Sequence, residues 1–338
     1  MRKIINVDRN EKMVKVKQRS WKSFIMLLML LIVLGGCSKA TESNSENPQS
    51  ESNSNSKTDT KIIKTVDGDV EIPANPQRIV TQGYLANFLV YGVKPVGAPY
   101  WELESPYTID LSEGITDIGQ IDGGSVEKIL SLKPDLIVTV GGDEKLNEQY
   151  RKIAPTLVIP YGTYHEVHDE MRAFGEILGK EKEAEEWLKE FDKKVAKAKD
   201  SIKGLIREGT TFSLMGPFGK DFYIYGDGVN RGGQAIYQQL GLTPPEIVHK
   251  DLIEPKINAL SISQEKIADY AGDYIFLDIS GEAEFDENDP VWSTIDAVKN
   301  NRVFNLNPER FWPYDPIAVE SQVEEIANML KDRLEKEK

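Results

Sequence analysis

The longest regular pattern of apolar positions lies near the middle of the chain. Seven apolar residues recur there at spacings that alternate between four and three, the repeat of a single buried helix face. The pattern predicts one long helix over 182–205, with acidic residues at its start and lysines at its end, an order that complements the helix dipole. A coiled coil is the alternative, but the flanking α/β patterns favour packing within one molecule. The seven positions are Ala184, Leu188, Phe191, Val195, Ala198, Ile202 and Leu205.

Short apolar runs alternate with helical patterns on both sides of this helix. Such alternation predicts parallel sheets with helices on their faces. The fold class is therefore α/β, with two Rossmann-like lobes joined by a single long α-helix and a cleft between them, a favoured place for ligands. The predicted lobes are 61–181 and 206–338. The predicted strands include 78–81, 136–140, 156–161, 211–215, 222–225, 274–279 and 303–306, and the predicted helices include 125–132, 165–178, 233–240, 264–270 and 317–334.

The N-terminus has the pattern of a secretory signal. Eight Lys or Arg fall within residues 1–22, and an unbroken apolar run of eleven residues follows at 24–34. The run is too short for a spanning helix, which needs about 20 apolar residues. The sequence Leu34-Gly35-Gly36-Cys37 resembles a bacterial lipobox, and Cys37 is the only cysteine of the chain. These features predict a signal peptide over 1–36 and lipidation of Cys37.

Residues 37–60 are expected to form a disordered tether. Positions 41–56 carry no aliphatic or aromatic side chain, so this segment cannot bury enough apolar surface to become ordered. The formal charge of the whole chain is −14, and loss of 1–36, with eight positive and two negative charges, would leave about −20. A body this acidic is not expected to bind nucleic acid.

Five stretches of the body together resemble the siderophore and cobalamin class of periplasmic binding proteins, called class III. The resemblance covers 61–338 and implies two lobes bridged by one rigid helix, no enzymatic activity, and delivery of ligand to an ABC transporter permease. The stretches are Val70-Glu71-Ile72-Pro73 with Asn75-Pro76-Gln77-Arg78, Gly92-Val93-Lys94-Pro95, Ser125-Val126-Glu127-Lys128 with Leu132-Lys133-Pro134-Asp135, Ile153-Ala154-Pro155-Thr156, and Ala271-Gly272-Asp273-Tyr274.

Two further stretches are similar to those of the ferric hydroxamate binders of this class. One runs from Gly219 to Gly233 and contains Arg231-Gly232-Gly233, and the other is Phe311-Trp312-Pro313-Tyr314-Asp315-Pro316. The resemblance implies that Arg231 points into the cleft and bonds the iron-coordinating oxygens, and that Trp312 and Tyr314 line the same cleft. Some relatives carry an aromatic residue where this chain has Val229.

Physical chemistry supports the same pocket. Iron(III) bound by three hydroxamates is neutral, so it needs aromatic walls and a few donors rather than several cations, and Arg231 supplies a fork of donors. A catecholate complex would call for more cations, while citrate-type ligands stay open. Core packing is the alternative role for Trp312 and Tyr314. Four aromatic residues in loops that follow first-lobe strands are further candidates for the wall. They are Tyr84, Tyr100, Trp101 and Tyr107.

Two carboxylates are candidates for permease contact. In the resembling family an acidic residue on each lobe engages the permease, and Glu127 and Glu265 stand at the corresponding helix starts. The alternative for both is an ordinary helix-start acid, which the helix dipole favours. Both positions are therefore expected to be exposed, one on each lobe.

Other functions fit the residues less well. The histidines His165, His168 and His249 come with no nearby cysteine or paired acidic motif, and no Gly-x-Ser-x-Gly nucleophile motif is present. Haem, ferric citrate or a catecholate siderophore remain alternative ligands, and a purely structural lipoprotein is a third reading. We therefore expect a monomeric, non-enzymatic protein without cofactor, whose ligand is an Fe(III)-siderophore. Its expected location is the outer side of the membrane of a Gram-positive bacterium.

Overall fold

The structure is a computed structural model that describes residues 59–120, 124–228, 231–280 and 289–336. Cys37, Val229 and the predicted signal peptide lie outside the described residues, as does all of the tether up to residue 58. Within the described ranges, none of the helices combines the length and apolar character that crossing a bilayer requires.

The first lobe is built on a five-stranded parallel sheet. Its strands stand in the order β5-β4-β3-β6-β7, and an antiparallel hairpin of β1 and β2 precedes them. The strands are β1 Thr60–Thr65, β2 Gly68–Pro73, β3 Ile79–Gln82, β4 Gly97–Ala98, β5 Thr116–Asp117, β6 Leu136–Thr139 and β7 Thr156–Val158. The helices are α1 Leu85–Val90, α2 Tyr100–Leu103, α3 Val126–Ser131, α4 Glu144–Arg151 and α5 Val167–Leu178.

The central strands form where the sequence predicted buried runs. Every residue of β3, β6 and β7 is buried, as expected for a parallel sheet covered by helices on both faces. Ser125 caps α3 by accepting a hydrogen bond from the backbone N–H of Lys128, which satisfies an otherwise unpaired donor. Because the five strands are parallel, their carboxyl ends share one edge of the sheet.

The long central helix is present. Helix α6 spans Glu181–Ile202, and six of the seven predicted apolar positions are buried along it. The prediction placed its end too late, because Leu205 lies beyond the last turn, after Gly204, whose φ is 74°. Helix α6 packs against α5 and against a helix of the second lobe, and one hydrophobic core runs from Phe174 through Phe191 to Phe212.

The second lobe carries a mixed five-stranded sheet in the order β10-β9-β8-β11-β12. Its strands are β8 Phe212–Phe218, β9 Asp221–Tyr225, β10 Ala259–Ile262, β11 Tyr274–Asp278 and β12 Val303–Leu306. Its helices are α7 Glu246–Val248, α8 Ile267–Tyr270, α9 Asp296–Lys299, α10 Pro308–Phe311 and α11 Pro316–Leu334. Short 3-10 turns occur at Ile109–Leu111, Gln264–Lys266 and Trp292–Thr294, and π-helical segments at Gln234–Gln239 and His249–Ile253.

The predicted parallel sheet is present in only part of the second lobe. Strands β8, β11 and β12 are parallel, whereas β9 pairs antiparallel with both β8 and β10. The reason is the connection between β8 and β9, in which Phe218 pairs with Asp221 across the two residues Gly219 and Lys220. A two-residue link permits only a hairpin, because a parallel crossover needs a dozen residues or more. The helix predicted over 233–240 forms as well, but as a π-helical segment over Gln234–Gln239 rather than as an α-helix.

Candidate functional site

An arginine that is almost fully buried lies in the second lobe. Arg231 is 5% exposed, and its Nε lies 2.8 Å from Oδ2 of Asp278, a side chain with no exposed surface. The contact is an ion pair rather than an aligned hydrogen bond. Among the described residues, neither Nε nor Nη1 of Arg231 has a hydrogen-bond partner. Both atoms are themselves buried, so oxygen atoms of a ligand can bond them only after neighbouring side chains move.

A strained turn holds this arginine in place. Arg231 has a φ of 53° and Gly232 a φ of 87°, so two successive residues lie in the left-handed region. Gly233 follows, and a Cβ there would lie 2.2 Å from the carbonyl oxygen of Gly226. The chain therefore needs glycines on the C-terminal side of Arg231. A residue with a side chain in this conformation costs on the order of 1–2 kcal/mol and is often found at functional sites.

Aromatic rings surround the guanidinium. Its carbon atom lies 3.6 Å from the ring centroid of Trp312, and Phe218 and Tyr225 have centroids 5.6 and 5.7 Å away. Trp312 is 45% exposed and Phe218 is 42% exposed, so two large apolar rings face outward beside a buried cation. Stacking on a guanidinium is favourable because the ring face is electron-rich. Exposed aromatic surface next to hydrogen-bond donors suits an organic ligand with polar oxygens.

Hydrogen bonds from two side chains fix the loop that carries Trp312. Gln322 is 1% exposed, and its side-chain amide donates hydrogen bonds to the carbonyl oxygens of Arg310, at 2.8 Å, and Pro313, at 2.7 Å. Asp315 caps α11 by accepting from the backbone N–H of Ala318. These bonds hold the segment 310–315 in one conformation, and they set the position of the tryptophan over Arg231.

Two contacts join this loop to the first lobe. The hydroxyl of Tyr107 donates to the carbonyl oxygen of Arg310 at 2.7 Å, and the ring of Tyr107 lies 5.1 Å from the guanidinium of the same residue. The rings of Tyr161 and Tyr314 meet edge to face with centroids 4.9 Å apart. We call this set of four residues the seam. The seam therefore brings the loop that carries Trp312 into contact with the first-lobe loops.

Three carboxyl groups lie near the seam, of which Glu102 and Glu170 are buried and Asp315 is half-buried. Glu102 accepts hydrogen bonds from the backbone N–H groups of Gly83, at 2.7 Å, and Leu85, at 2.6 Å, and so caps α1. Burial raises the pKa of Glu102 to about 7, that of Asp315 to about 6 and that of Glu170 to about 8. Such shifts mean that protonation of these groups favours the folded state.

The structure separates the predicted first-lobe aromatics into two groups. Tyr100 is 40% exposed and Trp101 is 38% exposed, and both follow β4 at the carboxyl edge of the first sheet. Tyr107 belongs to the seam. Tyr84, in contrast, is 4% exposed, packs on Phe174 with centroids 5.1 Å apart and donates its hydroxyl to the carbonyl oxygen of Ile159. Tyr84 thus lies in the core, and we do not include it in the cleft wall.

Both candidate carboxylates for permease contact are exposed. Glu127 stands in the first turn of α3, and Glu265 stands in the 3-10 turn that precedes α8. Hydrogen bonds from its own backbone N–H and from the Ser263 hydroxyl hold the pKa of the Glu265 carboxyl below its usual value. The two side chains lie on different lobes, as the sequence predicted.

The sequence prediction missed three residues: Phe218 and Asp278, which contact Arg231, and Tyr161, which belongs to the seam. Phe218 and Asp278 end strands β8 and β11, and Tyr161 follows β7. In α/β sheets, ligands bind beyond the carboxyl ends of the strands. Tyr161 ends the strand predicted over 156–161, so an aromatic residue at that position was a usable signal. Phe218 and Asp278 do not end the strands as they were predicted, over 211–215 and 274–279, so the same signal was not available for them. Among the described residues, no group of three or more His, Cys, Asp or Glu side chains is arranged to hold a metal ion.

Comparison with known proteins identifies the family. Residues 80–309 match the family model described as periplasmic binding protein. The chain is 39% identical, over 93% of its length and 97% of the relative's, to the iron(3+)-hydroxamate-binding protein YxeB of Bacillus subtilis. It is 37% identical, over 90% of its length and 95% of the relative's, to the iron(3+)-hydroxamate-binding protein FhuD of the same organism.

A solved structure supports the same family. The fold matches that of FhuD2 from Staphylococcus aureus with bound ferrioxamine B with a TM-score of 0.68 and 29% identity, covering 76% of this chain and 99% of that one. This chain therefore belongs to the periplasmic binding protein family. Membership agrees with the predicted two-lobed α/β fold and with the expectation of a binding protein rather than an enzyme.

Proposed function

We propose that this member of the periplasmic binding protein family captures a ferric hydroxamate siderophore in the cleft between its lobes and delivers it to the permease of an ABC transporter. The observation that carries the proposal is the buried, ion-paired Arg231 beneath the exposed ring of Trp312. The relatives named as hydroxamate-binding proteins support it, since they align over nearly the whole chain.

The chemistry of the ligand fits this wall. A ferric trihydroxamate has no net charge, an apolar periphery and oxygen atoms that can accept hydrogen bonds. Arg231 offers donors on a planar fork, and Nη1 has no partner among the described residues. Trp312, Phe218, Tyr100 and Trp101 offer large aromatic surfaces for the organic shell. In this arrangement the arginine orients the complex and the aromatic rings exclude water from it.

Binding is expected to move the lobes only modestly. Helix α6 is buried along one face over its whole length, and the core that it joins is continuous across both lobes. A wide hinge opening would expose that core, whereas small adjustments at the seam would not. Small-angle scattering with and without ferric trihydroxamate checks this, and a large change in the radius of gyration would contradict it.

Intrinsic fluorescence tests the binding function. Titration of the purified protein with a ferric trihydroxamate is expected to give saturable quenching, which Arg231→Ala weakens by about tenfold or more, the usual effect of losing a charged hydrogen-bonding partner. Arg172→Ala is the matched control, because that arginine lies 51% exposed on α5 and pairs with Glu185. Quenching by haem, ferric citrate or a ferric catecholate, but not by ferric hydroxamates, would replace the proposed ligand.

Delivery is proposed to use Glu127 and Glu265 as permease contacts. Both are exposed, one on each lobe, as contact of a permease with both lobes requires. Glu127→Arg should leave ligand affinity unchanged and reduce uptake of iron by cells, while Glu208→Arg, an equal charge reversal at another exposed position, should change neither. Loss of ligand affinity in Glu127→Arg would refute this assignment.

The protein is further proposed to act outside the cytoplasm as a monomer anchored to the membrane by lipidated Cys37. Two relatives of about a quarter identity are named as lipoproteins, which supports the anchor. Labelling of cells with a fatty-acid analogue should mark the protein, and Cys37→Ala should abolish the label. A label that persists in that variant would rule out Cys37 as the anchor.

A further inference from the structure

The partner of Arg231 is itself held firmly. Oδ1 of Asp278 accepts a hydrogen bond from the backbone N–H of Ser280 at 3.1 Å, and Oδ2 accepts one from the Ser280 hydroxyl at 2.9 Å. The backbone of Asp278 pairs with Leu306 of β12. On its other side it approaches Gly216 so closely that a Cβ there would lie 1.8 Å from the Asp278 carbonyl oxygen. The carboxylate therefore cannot easily leave the guanidinium.

The two arginines beside Trp312 and the seam are both paired with carboxylates. Arg231 is paired with Asp278, and Arg310 is paired with Glu325 at 2.5 Å. Near the seam, Glu102, Glu170 and Asp315 add carboxyl groups that are negative when ionised. A ligand that reaches Arg231 thus meets a hydrogen-bond donor whose positive charge is already cancelled by a carboxylate on the same wall.

We propose that Asp278 is a specificity-determining residue, which cancels the charge of Arg231 and so makes the cleft selective for uncharged ferric complexes over anionic ones. The inference rests on the proposed function, because it concerns the same cleft. Arg231 alone would attract any anion, including the ferric complex of three catecholates, which carries three negative charges. With Asp278 in place, Arg231 keeps its directional donors but loses its long-range attraction for anions.

The expected effect is large enough to measure. Removal of one unit charge about 8 Å from a trianion changes its affinity roughly tenfold even at the dielectric constant of water, and more in a partly buried cleft. A neutral complex at the same distance feels almost none of this change. The ratio of the two affinities is therefore the quantity that reports on Asp278.

The test uses two synthetic tripodal chelators that share one scaffold, one with three hydroxamates and one with three catecholates, each loaded with iron(III). Affinities come from fluorescence quenching of the purified protein. Asp278→Asn is expected to shift the affinity ratio about tenfold or more towards the tricatecholate. Asp269→Asn, the same change at an exposed aspartate paired with Lys266, is expected to leave the ratio unchanged.

A double variant tests whether the uncompensated charge of Arg231 causes the shift in the affinity ratio. When Arg231→Gln is added to Asp278→Asn, no uncompensated cation remains, so the ratio should return to that of the unmodified protein although the trihydroxamate binds more weakly. An Asp278→Asn protein with the original ratio would overturn the inference. So would a double variant that keeps the tricatecholate gain. If the unmodified protein binds no ferric trihydroxamate at all, the proposed function fails instead.

A measurement on the unmodified protein covers the case in which Asp278→Asn does not fold. Between high and low NaCl concentration, the trihydroxamate affinity should stay constant, because neither partner presents a net charge at the contact. The tricatecholate affinity should not rise when the salt is lowered. A rise would reveal an uncompensated cation in the cleft and would overturn the assignment of Asp278.

Discussion

Two arginines of the second lobe have similar partners but different surroundings. Arg231 pairs with Asp278 and lies under Trp312, whereas Arg310 pairs with Glu325 and lies against Tyr107. The side chain of Arg231 is 6% exposed, and that of Arg310 is 37% exposed. Arg231 also has a φ of 53°. Each arginine thus pairs with a carboxylate and lies against aromatic surface, but only Arg231 combines burial with backbone strain.

The difference indicates different roles. An ion pair at a partly exposed position contributes little and tolerates change, so the Arg310 pair is explained by its place in the seam. Burying a cation on a left-handed residue is unfavourable for stability, and a strained backbone of this kind is often found at functional sites. Together with the exposed ring of Trp312, this supports a ligand-binding role for Arg231 and a structural role for Arg310.

The largest expected difference between the two arginines is in stability. Arg231→Ala leaves Asp278 buried without its partner, and we expect the free energy of unfolding to fall by about 3 kcal/mol or more. Arg310→Ala should lower it by about 1 kcal/mol or less, since solvent screens that pair. Urea unfolding followed by circular dichroism measures both.

A double variant tests the reason for that difference. Arg231→Ala combined with Asp278→Ala removes both buried charges, so its loss of stability should be smaller than the sum of the two single losses. Strictly additive losses would contradict the view that the stranded carboxylate causes the destabilisation of Arg231→Ala.

The second prediction concerns pH and the carboxyl groups near the seam. Burial raises the pKa of Glu170 from 4.5 to about 8, so the folded state holds this proton more tightly than the unfolded chain does. Its contribution to stability is therefore complete below pH 4.5 and is lost as the pH rises to about 8. Over that range the free energy of unfolding should fall by up to about 1.4 kcal/mol per pH unit for this group.

Glu170→Gln should remove that part of the pH dependence. The glutamine keeps the shape of the protonated acid and can still accept the hydrogen bond from Asn87. The free energy of unfolding, measured at several pH values between 5 and 8, should change less with pH in this variant than in the unmodified protein. An unchanged slope would show that other groups, such as Glu102, dominate the effect.

The third prediction measures how much the ring of Trp312, which stacks on Arg231, contributes to ligand affinity. Trp312→Ala removes the stacked face and should weaken ferric trihydroxamate binding by about tenfold, while the free energy of unfolding falls by about 1 kcal/mol or less because the ring is 45% exposed. Trp312→Phe keeps an aromatic face over Arg231 and should retain most of the affinity. Equal losses in both variants would argue against simple stacking.

Much of the fold could be predicted because buried faces leave a periodic trace in the sequence. The stripe from Ala184 to Ile202 predicted α6 within a few residues of its true ends. The end of β8 was predicted too early, at Met215, since Gly216-Pro217 looks like a break. The strand in fact continues to Phe218. That extension depends on pairing with β9, a long-range contact that local pattern does not contain.

The site was harder to predict for the same reason. Resemblance pointed to Arg231 and Trp312, but nothing local to either residue shows that the two stack, or that Asp278, almost fifty positions away, neutralises the arginine. Tyr84 follows a strand just as Tyr161 does, yet it is buried against Phe174 while Tyr161 reaches the seam. Whether a loop aromatic points into the core or the cleft depends on the packing of other elements.

A small effect is also expected at the seam, where a single hydrogen bond tests the structural role of Arg310. Tyr107→Phe removes only the hydroxyl that donates to the Arg310 carbonyl oxygen, so the free energy of unfolding should fall by about 1 kcal/mol, the net value of one hydrogen bond. Tyr100→Phe is the control for stability. Because that ring is 40% exposed, the free energy of unfolding should change little in this variant. If Tyr107→Phe lowered ligand affinity as strongly as Arg231→Ala while leaving stability unchanged, the seam would be part of the binding wall rather than a tie between the lobes.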